Sequence, residues 1–99
     1  MADLVVVYWK DIPAQVKARS GRQTARRELS PRFAEAIDRA AMRSGEKDQD
    51  AYLAQWRTGD PVAVDGDLQQ AVDSICLSLE AEWNDARLSA AVANGGRDG

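Results

Sequence analysis

The chain has 99 residues, a formal net charge of −3, one cysteine and no histidine, which allows one domain with its own core and no disulfide within the chain. Without histidine a Ser-His-Asp triad is excluded, and the commonest general base and zinc ligand are missing. The longest unbroken apolar run, Leu4 to Trp9, falls far short of the ~20 residues that span a membrane as a helix.

Leu4-Val5-Val6-Val7-Tyr8-Trp9 is β-branched and aromatic with no polar alternation, which predicts a central strand covered on both faces. Pro13 lacks an amide donor and restricts Ile12, so regular structure is expected to break there and to restart at Ala14. Lys10, Asp11 and Ile12 would then form an exposed connection, the leading candidate for a partner contact. Residues 14–29 alternate on either side of Ser20-Gly21-Arg22-Gln23, where glycine supplies the positive φ of a tight turn, and so predict a hairpin. Val16, Ala18, Ala25 and Leu29 would face the core and Lys17, Arg19 and Arg26 solvent, with Arg27 a misfit in the pattern. A helix competes, since Ala, Gln, Lys, Arg and Glu favour one, but Gly21 would then sit in its interior.

Ser30-Pro31 predicts a helix start with a hydroxyl cap and proline at the first helical position. Phe33, Ile37, Ala40 and Ala41 form its apolar stripe, and Arg43-Ser44-Gly45 closes it. Asp48 or Asp50 can cap a short second helix carrying Tyr52 and Trp56 one turn apart and ending at Thr58-Gly59-Asp60-Pro61. Residues 61–64 read as extended, at a sheet edge. A long last helix is expected from Asp65 or Asp67 to Ala93. One seam of Leu68, Val72, Ile75, Leu79, Trp83, Ala86 and Ala90 should bury, while Leu77, Ala81, Leu88 and Val92 form a second apolar line. Either Asn84-Asp85 breaks the helix and shifts its phase, or the second line is a contact surface, which makes Leu77 and Leu88 candidates.

Charge is uneven along the chain. Lys10 to Arg32 holds seven cations against two acids, and Asp60 onward holds eight acids against two arginines. The two segments either face each other or leave a basic surface, with Arg19, Arg22 and Arg26 near one turn as candidates for an anion, a nucleic acid or a protein. An isoelectric point near 4.8 disfavours non-specific polyanion binding. Cys76 lies between Ile75 and Leu77 with no cation beside it in sequence and reads as a core residue. Asp48/Asp50 and Asp65/Asp67 lack the rest of a calcium loop and read as caps. No glycine-rich phosphate loop opens a helix. No catalytic residue, metal ligand or cofactor is assigned, and the chain reads as a binding protein rather than an enzyme.

The combination VVVYWKDIPAQV, ARRELSPRFAEAIDRAAMR and DAYLAQWRTGDPVAV resembles the short bacterial proteins labelled virulence factor, typical of alphaproteobacteria and similar to the C-terminal segment of conserved virulence factor C. The likeness covers residues 3 to 96 and carries over no site residues. It implies an accessory role beside corrinoid- and folate-dependent methyltransferases of one-carbon and methionine metabolism. The expectation is therefore a single α+β domain over residues 1–99 with a disordered tail at 95–99. It would hold a small antiparallel sheet of three or four strands, two to three helices on one face and a long C-terminal helix. The start MADLVVVYWK lacks the pattern of a signal peptide, so a cytoplasmic protein is expected, monomeric or weakly dimeric, with a protein partner, a nucleic acid as the alternative, and no membrane.

Overall fold

A computed structural model of the protein describes residues 2–45 and 48–98. Three strands follow one another as a meander: β1 (Ala2–Trp9), β2 (Ile12–Ser20) and β3 (Gln23–Glu28). Helices α1 (Pro31–Arg43) and α2 (Gln49–Ala54) come next, then short strands β4 (Trp56–Thr58) and β5 (Val62–Val64), and finally helices α3 (Leu68–Glu82) and α4 (Asp85–Ala93). The sheet is antiparallel with order β3-β2-β1-β4, and β5 also pairs with β1. The expected α+β fold is present, with five strands and four helices among the described residues.

Both hairpins of the meander turn through two residues. At the second, Ser20 pairs with Gln23 across Gly21-Arg22, and Gly21 takes φ +59 at the first central position, as a type II′ turn requires. At the first, Trp9 pairs with Ile12 across Lys10-Asp11. Pro13 does not break the chain as expected. It lies inside β2, where the pairing with β1 shifts register between Val7 and Tyr8 and leaves Ala14 as the extra residue. A bulge is one of the few places in a sheet that tolerates a residue without an amide donor.

β4 and β5 make one interrupted edge. Val7 pairs with Thr58 and Leu4 with Val62, so β1 contributes Val5 and Val6 where the edge contributes Gly59, Asp60 and Pro61. Gly59 donates its N–H to the Val6 carbonyl at 2.8 Å. A Cβ there would come within 3.0 Å of the Tyr8 ring and 3.3 Å of that carbonyl. The helix expected to run through Trp56 stops at Ala54, because Trp56-Arg57-Thr58 suits a strand and β1 offers an edge to pair with. Tyr52 and Trp56 still meet edge to face, 6.1 Å between centroids.

The core lies on one face of the sheet. Val16 and Ala18 of β2 and Leu4 of β1 bury against Phe33 and Ile37 of α1 and Leu68, Val72 and Cys76 of α3. Of the two readings left open for the last helix, the break is the one present, and it falls at Trp83-Asn84. Trp83 leaves the helical region at φ −97, ψ 74, and the Asn84 side chain accepts the Arg87 N–H at 2.8 Å to cap α4. Arg32 of α1 satisfies the end of α3, donating to the Glu80 carbonyl at 2.8 Å and to the Trp83 carbonyl. The break rephases the apolar pattern, so α4 buries Leu88 and Ala91 against α1.

The tail, expected to be disordered, is tied down over its described residues. Gly96 accepts the Asp11 N–H at 2.9 Å, Asp98 donates its N–H to the Asp11 carboxylate at 2.9 Å, and Arg87 pairs with Asp98 at 2.6 Å. Gly96, at φ +104, lies so close to Trp9 that a Cβ would approach the indole to 2.7 Å. Gly99 is outside the described residues.

Candidate functional site

β1 is central, as expected, but only one of its faces is covered. Opposite the helices the sheet carries Asp3, Val5 and Val7 of β1, Gln15, Lys17 and Arg19 of β2 and Thr24, Arg26 and the acidic Glu28 of β3. Among these Asp3, Lys17, Arg19, Thr24 and Arg26 are exposed and the valines half-buried. The two-residue turns fix how these align. Val5, Lys17 and Arg26 form one row across three strands, and Asp3, Arg19 and Thr24 form the next. Together with Pro61 they line an open groove of about 850 Å³.

The groove is cationic, with Lys17, Arg19 and Arg26 against the single carboxylate of Asp3. Arg19 bonds back to the Gly21 carbonyl at 3.3 Å. Lys17 and Arg26 stand directly opposite each other, an arrangement that like charges disfavour. Neither makes an ion pair among the described residues.

The helix-facing side of the same hairpin is neutralised. Arg27 is opposite Val16 and reaches Asp73 of α3 at 3.2 Å, which explains the residue that did not fit the alternation. Arg32 pairs with Glu80 at 3.0 Å and Asp85 at 3.5 Å. Ser30 sits at the N-cap of α1, but its hydroxyl does not cap the helix; it donates to Glu80 at 2.8 Å, as its N–H does at 2.7 Å. Partial burial pushes the Glu80 carboxyl up, and the Ser30 and Arg32 hydrogen bonds outweigh it, holding the group below the usual carboxylate range. Cys76 is buried, as expected, its thiol 3.9 Å from the Arg27 carbonyl. Burial pushes that thiol up, against a smaller opposing pull from Arg27.

The candidates named from sequence divide sharply. Arg19 and Arg26 come together in the groove, whereas Arg22 sits at the turn tip and does not line it. The connection at Lys10, Asp11 and Ile12 is not the exposed contact expected. Ile12 is fully buried and Lys10 nearly so, with Lys10 Nζ 5.1 Å from the Trp9 ring centroid. Lys10 takes φ +54 and is held by its N–H to the Gln55 carbonyl at 2.9 Å and by Arg57 on its own carbonyl at 2.7 Å. Asp11 faces Arg57 at 3.5 Å and Arg97 at 3.6 Å. This junction anchors β1, β4 and the tail to one another. Leu88 is buried by the α4 phase shift, and only Leu77 of that pair stays exposed.

Sequence reasoning missed Lys17, Val5 and Asp3 as members of the site. The signal was available, because a two-residue turn at Gly21-Arg22 sets Lys17 opposite Arg26 before any coordinates are known.

A second cavity, about 210 Å³ and flanked by Ile37, Asp38, Tyr52 and Trp56, is smaller than the ~300 Å³ at which small-molecule sites begin. Burial, aided by Asp38, raises the Tyr52 phenol there. Asp48 and Asp67 act as helix caps, accepting N–H groups of Asp50 at 3.3 Å and Gln70 at 3.0 Å. No three acidic or cysteine side chains converge on a metal-sized site among the described residues, and no helix there is long and apolar enough to cross a membrane.

A sequence profile described as Virulence factor matches residues 7–92, which takes in the end of β1, β2 and β3, α1, α2, the broken edge, α3 and all of α4 but its last residue. The chain belongs to the virulence factor family. No curated protein and no solved structure matches it. Within the matched span this virulence factor protein holds Lys17, Arg19 and Arg26, while Asp3 and Val5 of the groove lie ahead of it.

Proposed function

We propose that this member of the virulence factor family is a non-enzymatic accessory protein that binds a protein partner through the uncovered face of its sheet. The observation that supports the reading is the asymmetry of the hairpin. Its helix-facing arginine is paired with an acid, and its outward cations, beside half-buried valines, are left facing solvent. Like charges set opposite each other cost the sheet stability, a cost that an acidic partner would offset. The family resemblance makes a component of a corrinoid- or folate-dependent methyltransferase the first partner to test. The setting is the cytoplasm, where a lone buried thiol such as Cys76 persists reduced, and the free protein is a monomer or a weak dimer. A tagged copy expressed in its native host, with co-purifying proteins identified by mass spectrometry, tests this. Stoichiometric recovery of a methyltransferase component is the expected result, and recovery of the protein alone from gently lysed cells contradicts it.

A further inference from the structure

The geometry points to an acidic, extended segment of a protein partner as the occupant of the groove on the open sheet face. This deepens the accessory reading and rests on it. Three features define the occupant. The Val5–Lys17–Arg26 row places a half-buried apolar side chain beside two cations that oppose each other across neighbouring strands. Cβ atoms of such partners lie about 5 Å apart, so carboxylates arriving between Lys17 and Arg26 relieve a repulsion the fold leaves standing. An adjoining apolar residue of the same segment meets Val5. The second row adds Arg19, and Asp3 beside it disfavours an unbroken run of negative charge.

The lining argues against a nucleic acid. It includes no aromatic side chain on which a base could stack, and the chain as a whole is acidic. The surface is open and shallow, which suits a peptide laid across strands better than an enclosed metabolite.

The test uses the full chain and a labelled short peptide alternating glutamate and valine, followed by fluorescence anisotropy at low and at high salt. A lysine-valine peptide of the same length, a short single-stranded DNA and inorganic phosphate serve as comparisons. Binding of the glutamate peptide that weakens with salt is expected. Lys17→Glu with Arg26→Glu should weaken it by about tenfold or more, and Arg22→Glu, which reverses charge off the groove, should leave it within about twofold. The milder Lys17→Gln and Arg26→Gln, with circular dichroism and melting recorded, guard against misfolding of the reversed variants. Equal weakening by Arg22→Glu reduces the effect to net charge and overturns the inference, as does tighter binding of the DNA or no binding of the glutamate peptide. If the groove variants still recover the native partner, the groove is wrong and the accessory reading stands. If the peptide binds at the groove and no partner co-purifies, the accessory reading fails alone.

Discussion

Arg26 and Arg27 leave the same strand in opposite directions. Arg27 goes toward α3 and meets Asp73, part of an acidic helix that also holds Arg32 through Glu80. Arg26 goes toward solvent, stands opposite Lys17, another cation, on the neighbouring strand, and makes no ion pair among the described residues. The basic segment and the acidic segment therefore do face each other, but for only half of the hairpin. On β3, then, the helix-facing charge of Arg27 is compensated by an acid, and the outward charge of Arg26 is in no ion pair among the described residues. The comparison separates a covered face from an open face within six residues of one strand.

The structural face should be the costlier to disturb. Trp9 is fully buried, donates its indole N–H to the Tyr52 carbonyl at 2.9 Å and lies against Gly96. Trp9→Ala should lower unfolding free energy by roughly 3–5 kcal/mol in urea denaturation. A loss under about 1 kcal/mol would mean that the sheet end and tail are not packed as described.

Next in size is Glu80, which takes both hydrogen bonds from Ser30 and ties α1 to α3 through Arg32. Glu80→Ala should cost roughly 2 kcal/mol at neutral pH, as loss of charge-assisted hydrogen bonds does. Its carboxyl is held below the usual range in the fold. The stability it contributes is therefore present above the unfolded value, about 4.3, and is lost as pH falls through the lower folded value. Melting temperature across acidic pH should accordingly fall less steeply in Glu80→Gln than in the natural protein.

Cys76 offers a smaller test of the same covered face. It is 2% exposed and its thiol is raised, so thiol reagents should label it only after denaturation. Cys76→Ala should cost about 1 kcal/mol. Rapid labelling of the folded protein would show that α3 does not cover β3.

The β2–β3 hairpin, the first helix and the central place of β1 were legible because each rests on local signals: a glycine turn, Ser-Pro before an apolar stripe, a β-branched run. What sequence misplaced depends on contacts distant along the chain. Ile12 and Lys10 looked exposed because proline follows them, yet Gln55, Arg57 and Gly96 arrive from far along the chain to bury that turn. Trp56 fitted a helix by spacing with Tyr52 and became a strand because β1 had an open edge. Leu88 stood between two open readings, a helix break at Asn84-Asp85 and a contact line, and the break is the one present, with Leu88 buried. The groove was half visible: its arginines stood out as charge, whereas Lys17 and Val5 join it only through cross-strand register.

The most direct test of the division between faces is urea denaturation of Arg26→Ala beside Arg27→Ala at low salt. Arg27 pairs with Asp73 at a half-exposed position, so Arg27→Ala should lower stability by up to about 1 kcal/mol. Arg26→Ala relieves a like-charge pair and should leave stability unchanged or raise it by a few tenths, about 0.2–0.5 kcal/mol, with the gain shrinking as salt is added. A loss in Arg26→Ala equal to that in Arg27→Ala would place Arg26 in the structural framework and contradict its assignment to the open face.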